Sequence, residues 1–135
     1  MNEKINLVAY DGSEDGEKAL KKAVKIAFND KSVHLYILHV LKPFGSLSGY
    51  PWVSYKQISE KMMEEVKESL RMLDNPLDIK IIEGNPAPEI VRFAKEINAD
   101  MIILGNRGLS GLKGCLGSVS HHVVEKAHCT VMVVK

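Results

Sequence analysis

Apolar and polar positions alternate along the 135 residues in two periods, short apolar runs and longer stripes at helical spacing. Ile5-Asn6-Leu7-Val8-Ala9-Tyr10 is a short β-prone run, ended by the turn and helix-start signal Asp11-Gly12-Ser13. From Glu14 to Asn29 the pairs Ala19/Leu20, Ala23/Val24 and Ala27/Phe28 recur at helical spacing and predict an amphipathic helix. Val33 to Leu41 is almost continuously apolar and aromatic, the pattern of a parallel strand covered on both faces. The Gly/Ser/Pro-rich stretch Lys42 to Pro51 predicts a mobile loop, and Ile58, Met62, Val66, Leu70 and Leu73 mark a long second helix. Leu77 to Glu83 reads as a third strand, broken by Gly84-Asn85-Pro86, with Pro86 placed where a helix can begin. Ile90, Val91, Ala94 and Ile97 form a third helical stripe, and Met101 to Leu104 a fourth strand. A last helix is expected over Ser118 to Ala127, with Val119, Val123 and Ala127 inward, and a fifth strand over Thr130 to Val134.

Strict alternation of strand and helix implies parallel strands, right-handed crossovers and helices on both faces. The expected fold is a doubly wound, Rossmann-like α/β domain over residues 1–135 with five parallel strands in the order 3-2-1-4-5. Such sheets bind ligands at the carboxyl ends of the strands, where the strand order reverses. The end of the first strand at Asp11 and the end of the fourth at Gly105 are then expected to meet across one crevice.

Composition narrows the class. With 45% hydrophobic and 26% charged residues the chain reads as an ordinary globular protein. A net charge of +1 (18 basic, 17 acidic residues) gives no field to recruit nucleic acid. Lys18, Lys21, Lys22 and Lys25 make a basic stripe on the first helix, read as a solvated face. No apolar run approaches the roughly 20 residues of a membrane span, and the N-terminus lacks the apolar core of a signal peptide. Two cysteines, Cys115 and Cys129, are too few for a disulfide framework and are expected as free thiols. These features give a cytoplasmic expectation.

The chemistry concentrates in GNRGLSGLKGCLGSVS, residues 105–120, where five glycines fall between Gly105 and Gly117 directly after the fourth strand. It is not a Walker loop, because Gly117 runs straight into Ser118 with no lysine between them, and Asp11-Gly12-Ser13-Glu14-Asp15-Gly16 does not supply G-x-G-x-x-G after the first strand. What remains is a glycine-rich loop feeding a helix start at Gly117-Ser118-Val119-Ser120, whose free N–H groups and hydroxyls suit an anion. From the residues alone, a phosphate site stands only slightly ahead of a plain surface loop. His39 alternates with Ile37 and Leu41 and reads as a satisfied core histidine. His121 and His122 diverge by roughly 100° on a helix and do not make a metal pair. No Ser-His-Asp arrangement or paired carboxylate suggests a dedicated hydrolase.

The Asp-Gly-Ser after the first strand, the His39-Val40 late in the second, the Gly84-Asn85-Pro86 after the third and the terminal glycine loop together resemble the universal stress protein family, from Ile5 to Lys135. ATP-binding members carry Gly-x2-Gly-x9-Gly-(Ser/Thr) after the fourth strand. Here Gly105, Gly108 and Gly117-Ser118 fill those places, but eight residues rather than nine, Leu109 to Leu116, separate the second and third. The resemblance implies that Ala9 and Asp11 border the adenosine, with the Asp11 carboxylate accepting from a ribose hydroxyl, and that Val40 packs near the adenine. It implies that Gly105, Gly108, Gly117, Ser118 and Val119 surround the phosphates of ATP, with Mg²⁺. Arg107, at a variable position of the motif, is expected to act as a flexible cation beside them. Tyr10 is assigned to the core. The family further implies a homodimer paired through the C-terminal strand.

Three functions follow for weighing: an ATP-binding regulatory stress-response protein acting as a dimer, a family member that does not bind ATP and works through protein contacts alone, or an enzyme. The third is disfavoured. An adenylating ligase of the pyrophosphatase-loop class needs Ser-Gly-Gly-x-Asp-Ser after the first strand, and a phospho-receiver needs Asp where the third strand ends in Glu83-Gly84. At most, weak ATP hydrolysis is expected.

Overall fold

The computed structural model describes residues 3–43, 52–108 and 116–135, with the backbone alone for 52–54. The loop expected over Lys42 to Pro51 lies mostly outside these residues, as do Gly111, Gly114 and Cys115. The order of elements is β1 (Lys4–Ala9), α1 (Glu14–Phe28), β2 (Val33–Leu41), α2 (Trp52–Ser69), β3 (Leu77–Glu83), α3 (Pro86–Glu96), β4 (Met101–Gly105), α4 (Ser118–Lys126) and β5 (Thr130–Val134). All strand pairings are parallel, and the sheet order is β3-β2-β1-β4-β5. This is the doubly wound topology expected from the alternation.

Period-two alternation sorts the strand side chains onto two faces. Val8, Ile37 and Ile103 are register partners across the three central strands. They are fully buried against Ala19, Leu20, Ala23 and Ala27 of α1 and Met63 and Val66 of α2. The next residues, Leu38 and Leu7 with its partner Ile102, turn to the other face and pack against Ile90, Phe93 and Ala94 of α3 and Val123 of α4. Burying apolar area on both sides of β1, β2 and β4 is the main stabilising term, since each Leu or Ile so removed from water contributes roughly 1.5–3 kcal/mol.

Three helix readings shift by a residue or a turn. In α2 the face that packs is Ser59, Met63 and Val66, while Ile58 is 55% exposed. The helix ends at Ser69, so Leu70 and Leu73 reach the same core from the turn that follows it. In α3 the buried set is Ile90, Phe93 and Ala94, with Val91 only partly covered, because the spacing i, i+3, i+4 selects Phe93. Phe28, at the last residue of α1, is 63% exposed and carries the Lys31 ammonium 4.7 Å above its ring rather than facing the core.

Candidate functional site

The site is built where β1 and β4 part company, one feeding a helix on one face and the other feeding a helix on the opposite face. Its floor follows from the register. Ala9 is paired with Leu38 on β2 and with Leu104 on β4, so a row Leu38–Ala9–Leu104 crosses the sheet at its carboxyl end. A methyl side chain between two leucines leaves a hollow at the centre of that row. Val40, two residues beyond Leu38, continues the apolar surface, and Pro86 and Ile90 from the start of α3 wall it. The resulting cavity is about 360 Å³, within the roughly 300–1,000 Å³ typical of small-molecule sites.

The polar rim begins at Asp11. Its Oδ1 accepts hydrogen bonds from the Ser13 amide (2.9 Å) and the Ser13 hydroxyl (2.5 Å). The same hydroxyl accepts from the Gly16 amide at 3.0 Å and caps α1. One carboxylate oxygen is thus committed to the turn. The other faces the glycine loop: a β-carbon at Gly108 would stand 2.8 Å from Asp11 Oδ2. Both roles weighed for this aspartate, turn stabiliser and ligand acceptor, fit one side chain because its two oxygens point different ways.

Opposite Asp11, the two ends of the glycine loop are tied together. The Asn106 carbonyl accepts from the Gly117 amide at 2.8 Å and from the Ser120 hydroxyl at 2.8 Å, and the Asn106 amide donates to Val134 O at 2.8 Å. The start of α4 is therefore fixed against the end of β4 and the edge strand β5. These hydrogen bonds between residues flanking the eight-residue segment hold the start of α4 in place. Gly117 caps α4 with extended backbone (φ −66°, ψ 157°) and among the described residues no side chain caps the helix, which leaves its first amides available to an anion.

All nine sequence-derived residues, Ala9, Asp11, Val40, Gly105, Arg107, Gly108, Gly117, Ser118 and Val119, line this one cavity. Arg107 departs from expectation in its side chain. It is not a free cation: its Nε lies 3.3 Å and its backbone N 3.1 Å from Asp15 Oδ2, and the Asp15 side chain is only 5% exposed. The sequence did not point to Leu38, Leu104, Pro86, Ile90 or Ser13 as lining residues, whereas the Ser120 hydroxyl, expected at the helix start, does line the cavity. Gly84-Asn85-Pro86 was the available signal for the α3 wall, since a break after a strand places the next helix start at the same end of the sheet.

Tyr10 and His39 also line the crevice, and His121 and Cys129 lie outside it. Tyr10 is buried, as assigned, and its hydroxyl donates to Glu17; burial pushes its ionisation up, followed by the hydrogen bond to that carboxylate. His39 is buried with Nδ1 donating to Tyr10 O at 2.9 Å, but its Nε2 has no hydrogen-bond partner among the described residues, so the core histidine is half satisfied. His121 sits 3.9 Å from Glu125 on the exposed face of α4. Cys129 is a free thiol, and partial burial raises its pKa.

A doubly wound sheet with an apolar pocket, a carboxylate and a bare helix start at its switch point defines a Rossmann-like domain. The chain belongs to the universal stress protein family, whose profile matches residues 1–135. It is 39% identical to the universal stress protein YxiE of Bacillus subtilis, covering 96% of this chain and 97% of that one. It is 36% identical to a universal stress protein of Methanocaldococcus jannaschii, covering 96% and 80% respectively. Among solved structures, the universal stress protein from Archaeoglobus fulgidus in complex with dAMP superposes with a TM-score of 0.77 at 25% identity, over the whole of both chains.

Proposed function

We propose that this protein binds ATP in the β1/β4 crevice and acts as a dimeric, nucleotide-responsive regulator in stress responses. The observation that carries this reading is the convergence of three unlike surfaces on one hollow: the apolar row Leu38–Ala9–Leu104, the free oxygen of Asp11 and the uncapped start of α4. Together they match a nucleotide's base, ribose and phosphates in that order. The Archaeoglobus fulgidus relative bound to dAMP supports an adenine nucleotide as the ligand class. Among the described residues no group of three His, Cys, Asp or Glu could hold a metal ion, so Mg²⁺ is proposed to arrive on the phosphates. The direct test is chromatography of the ligand released from protein purified from cells; a co-purifying adenine nucleotide is expected, and protein that stays free of nucleotide even after incubation with ATP contradicts the reading. The alternative, a family member that works through protein contacts alone, draws on the shortened loop. The Asn106–Gly117 and Asn106–Ser120 ties weigh against it.

Asp11→Asn is expected to weaken adenosine, AMP and ATP by the same factor, on the order of tenfold or more, the value of one hydrogen bond to a charged acceptor. Competitive titration of the three ligands checks this; a loss seen only with ATP would move Asp11 from the ribose to the phosphates.

The dimer is proposed to form along β5. This strand lies at the edge of the sheet with Val131, Met132, Val133 and Val134 each only partly covered, and an open β-branched edge pairs readily with a second copy about a two-fold axis. Light scattering at micromolar concentration should give twice the chain mass, and a monomer mass would remove this part of the proposal.

A further inference from the structure

The only cation lining the crevice among the described residues, Arg107, is already engaged, and its partner explains why. Asp15 occupies the second position of α1 with its side chain 5% exposed. Its Oδ2 accepts from both the backbone N–H and the Nε–H of Arg107. Among the described residues its Oδ1 has only the Lys18 ammonium, 3.9 Å away at the surface. If Arg107 swung out to meet a phosphate, a buried carboxylate would lose its main counter-charge, and breaking a buried pair from one side is strongly unfavourable. The backbone of the same residue also lies against the end of β4. A β-carbon at Gly105 would lie 2.6 Å from the Asp15 carbonyl carbon, so the first turn of α1 and the end of β4 are in direct backbone contact.

We infer that Asp15 and Arg107 are a positioning pair: Arg107 stays on Asp15 when nucleotide binds, the pair pins residues 105–108 to α1, and phosphate is recognised by backbone amides and hydroxyls rather than by the guanidinium. This rests on the crevice being the nucleotide site, and it differs from the expectation of a flexible cation beside the phosphates. It also predicts a specificity: with Arg107 neutralised, each added phosphate gains no direct ion pair from this side chain.

The test uses Asp15→Asn, Arg107→Gln and the double variant, with two readouts. The first needs no ligand. Amide hydrogen exchange at residues 105–108 should accelerate in each single variant without a general rise across the sheet, whereas unchanged protection overturns the pinning role. The second is affinity for adenosine, AMP, ADP and ATP. Each single variant should lose roughly three- to thirtyfold for the three phosphorylated ligands alike and leave adenosine unchanged. The double variant should be no worse than either single, as expected for one shared interaction. A merely destabilised fold would weaken adenosine too. If instead Arg107→Gln loses progressively more from AMP to ATP while Asp15→Asn gains for ATP, Arg107 meets the phosphates directly and the inference fails. If the wild type binds none of the four ligands, the nucleotide site itself is refuted, and the exchange experiment still decides the pair.

Discussion

Gly105→Ala is expected to destabilise the protein by about 1–3 kcal/mol, the range for forcing an extra methyl into packed structure, although the residue is the last of β4 and has no side chain in the core. The methyl would stand 2.6 Å from Asp15 C, 2.8 Å from Asp15 O and 2.9 Å from Asp15 Cβ. None of these atoms is the end of a flexible side chain, so α1 itself has to recede from β4. Receding pulls on the Asp15–Arg107 contacts and on the cap through Asp11, Ser13 and Gly16, which share the same first turn of α1. Gly117→Ala is the internal control: its methyl would meet Asn106 O at 3.1 Å and Arg107 Cα at 3.3 Å, contacts that a shift of a few tenths of an ångström relieves. Urea denaturation of the two variants should separate them clearly, with Gly105→Ala unfolding at much lower urea. Equal midpoints would mean that α1 and β4 do not approach as described.

Gly117→Val is expected to abolish nucleotide binding while leaving most of the stability in place. The added branches have Asn106 and Arg107 on one side and the crevice on the other. Either the Gly117 N–H to Asn106 O bond breaks and α4 loses its anchor, or the isopropyl group stands where phosphate would meet the first amides of the helix. Both routes remove the anion site. A loss of affinity of more than about a hundredfold is expected, equivalent to roughly 2.7 kcal/mol, and equilibrium dialysis with ATP measures it. Binding at wild-type strength would place the phosphates elsewhere.

The five strands and their alternation with helices were legible because the strong signals are local: Val33–Leu41 reads as a doubly covered strand, and Asp11-Gly12-Ser13 marks where a strand hands over to a helix. The nine crevice residues were legible through the family resemblance, and the glycine spacing alone left a surface loop almost as good a reading. What stayed hidden depends on register and on how helices rotate against the sheet. That Leu38, Ala9 and Leu104 form one row follows from parallel pairing, which the one-dimensional pattern does not contain. Ser59 rather than Ile58 faces inward because Met63 and Val66 fix the rotation of α2. Asp15 was the least visible: an acidic residue in the first turn of a helix is usual at the surface, and only the close approach of β4 turns it into a buried partner of Arg107.

The central claim is nucleotide binding in the β1/β4 crevice, and titration calorimetry of the wild-type protein with ATP and Mg²⁺ tests it most directly. The account predicts a saturable heat with one nucleotide per chain, lost in Gly117→Val. No heat at millimolar ATP would contradict it and leave a universal stress protein that acts without the nucleotide.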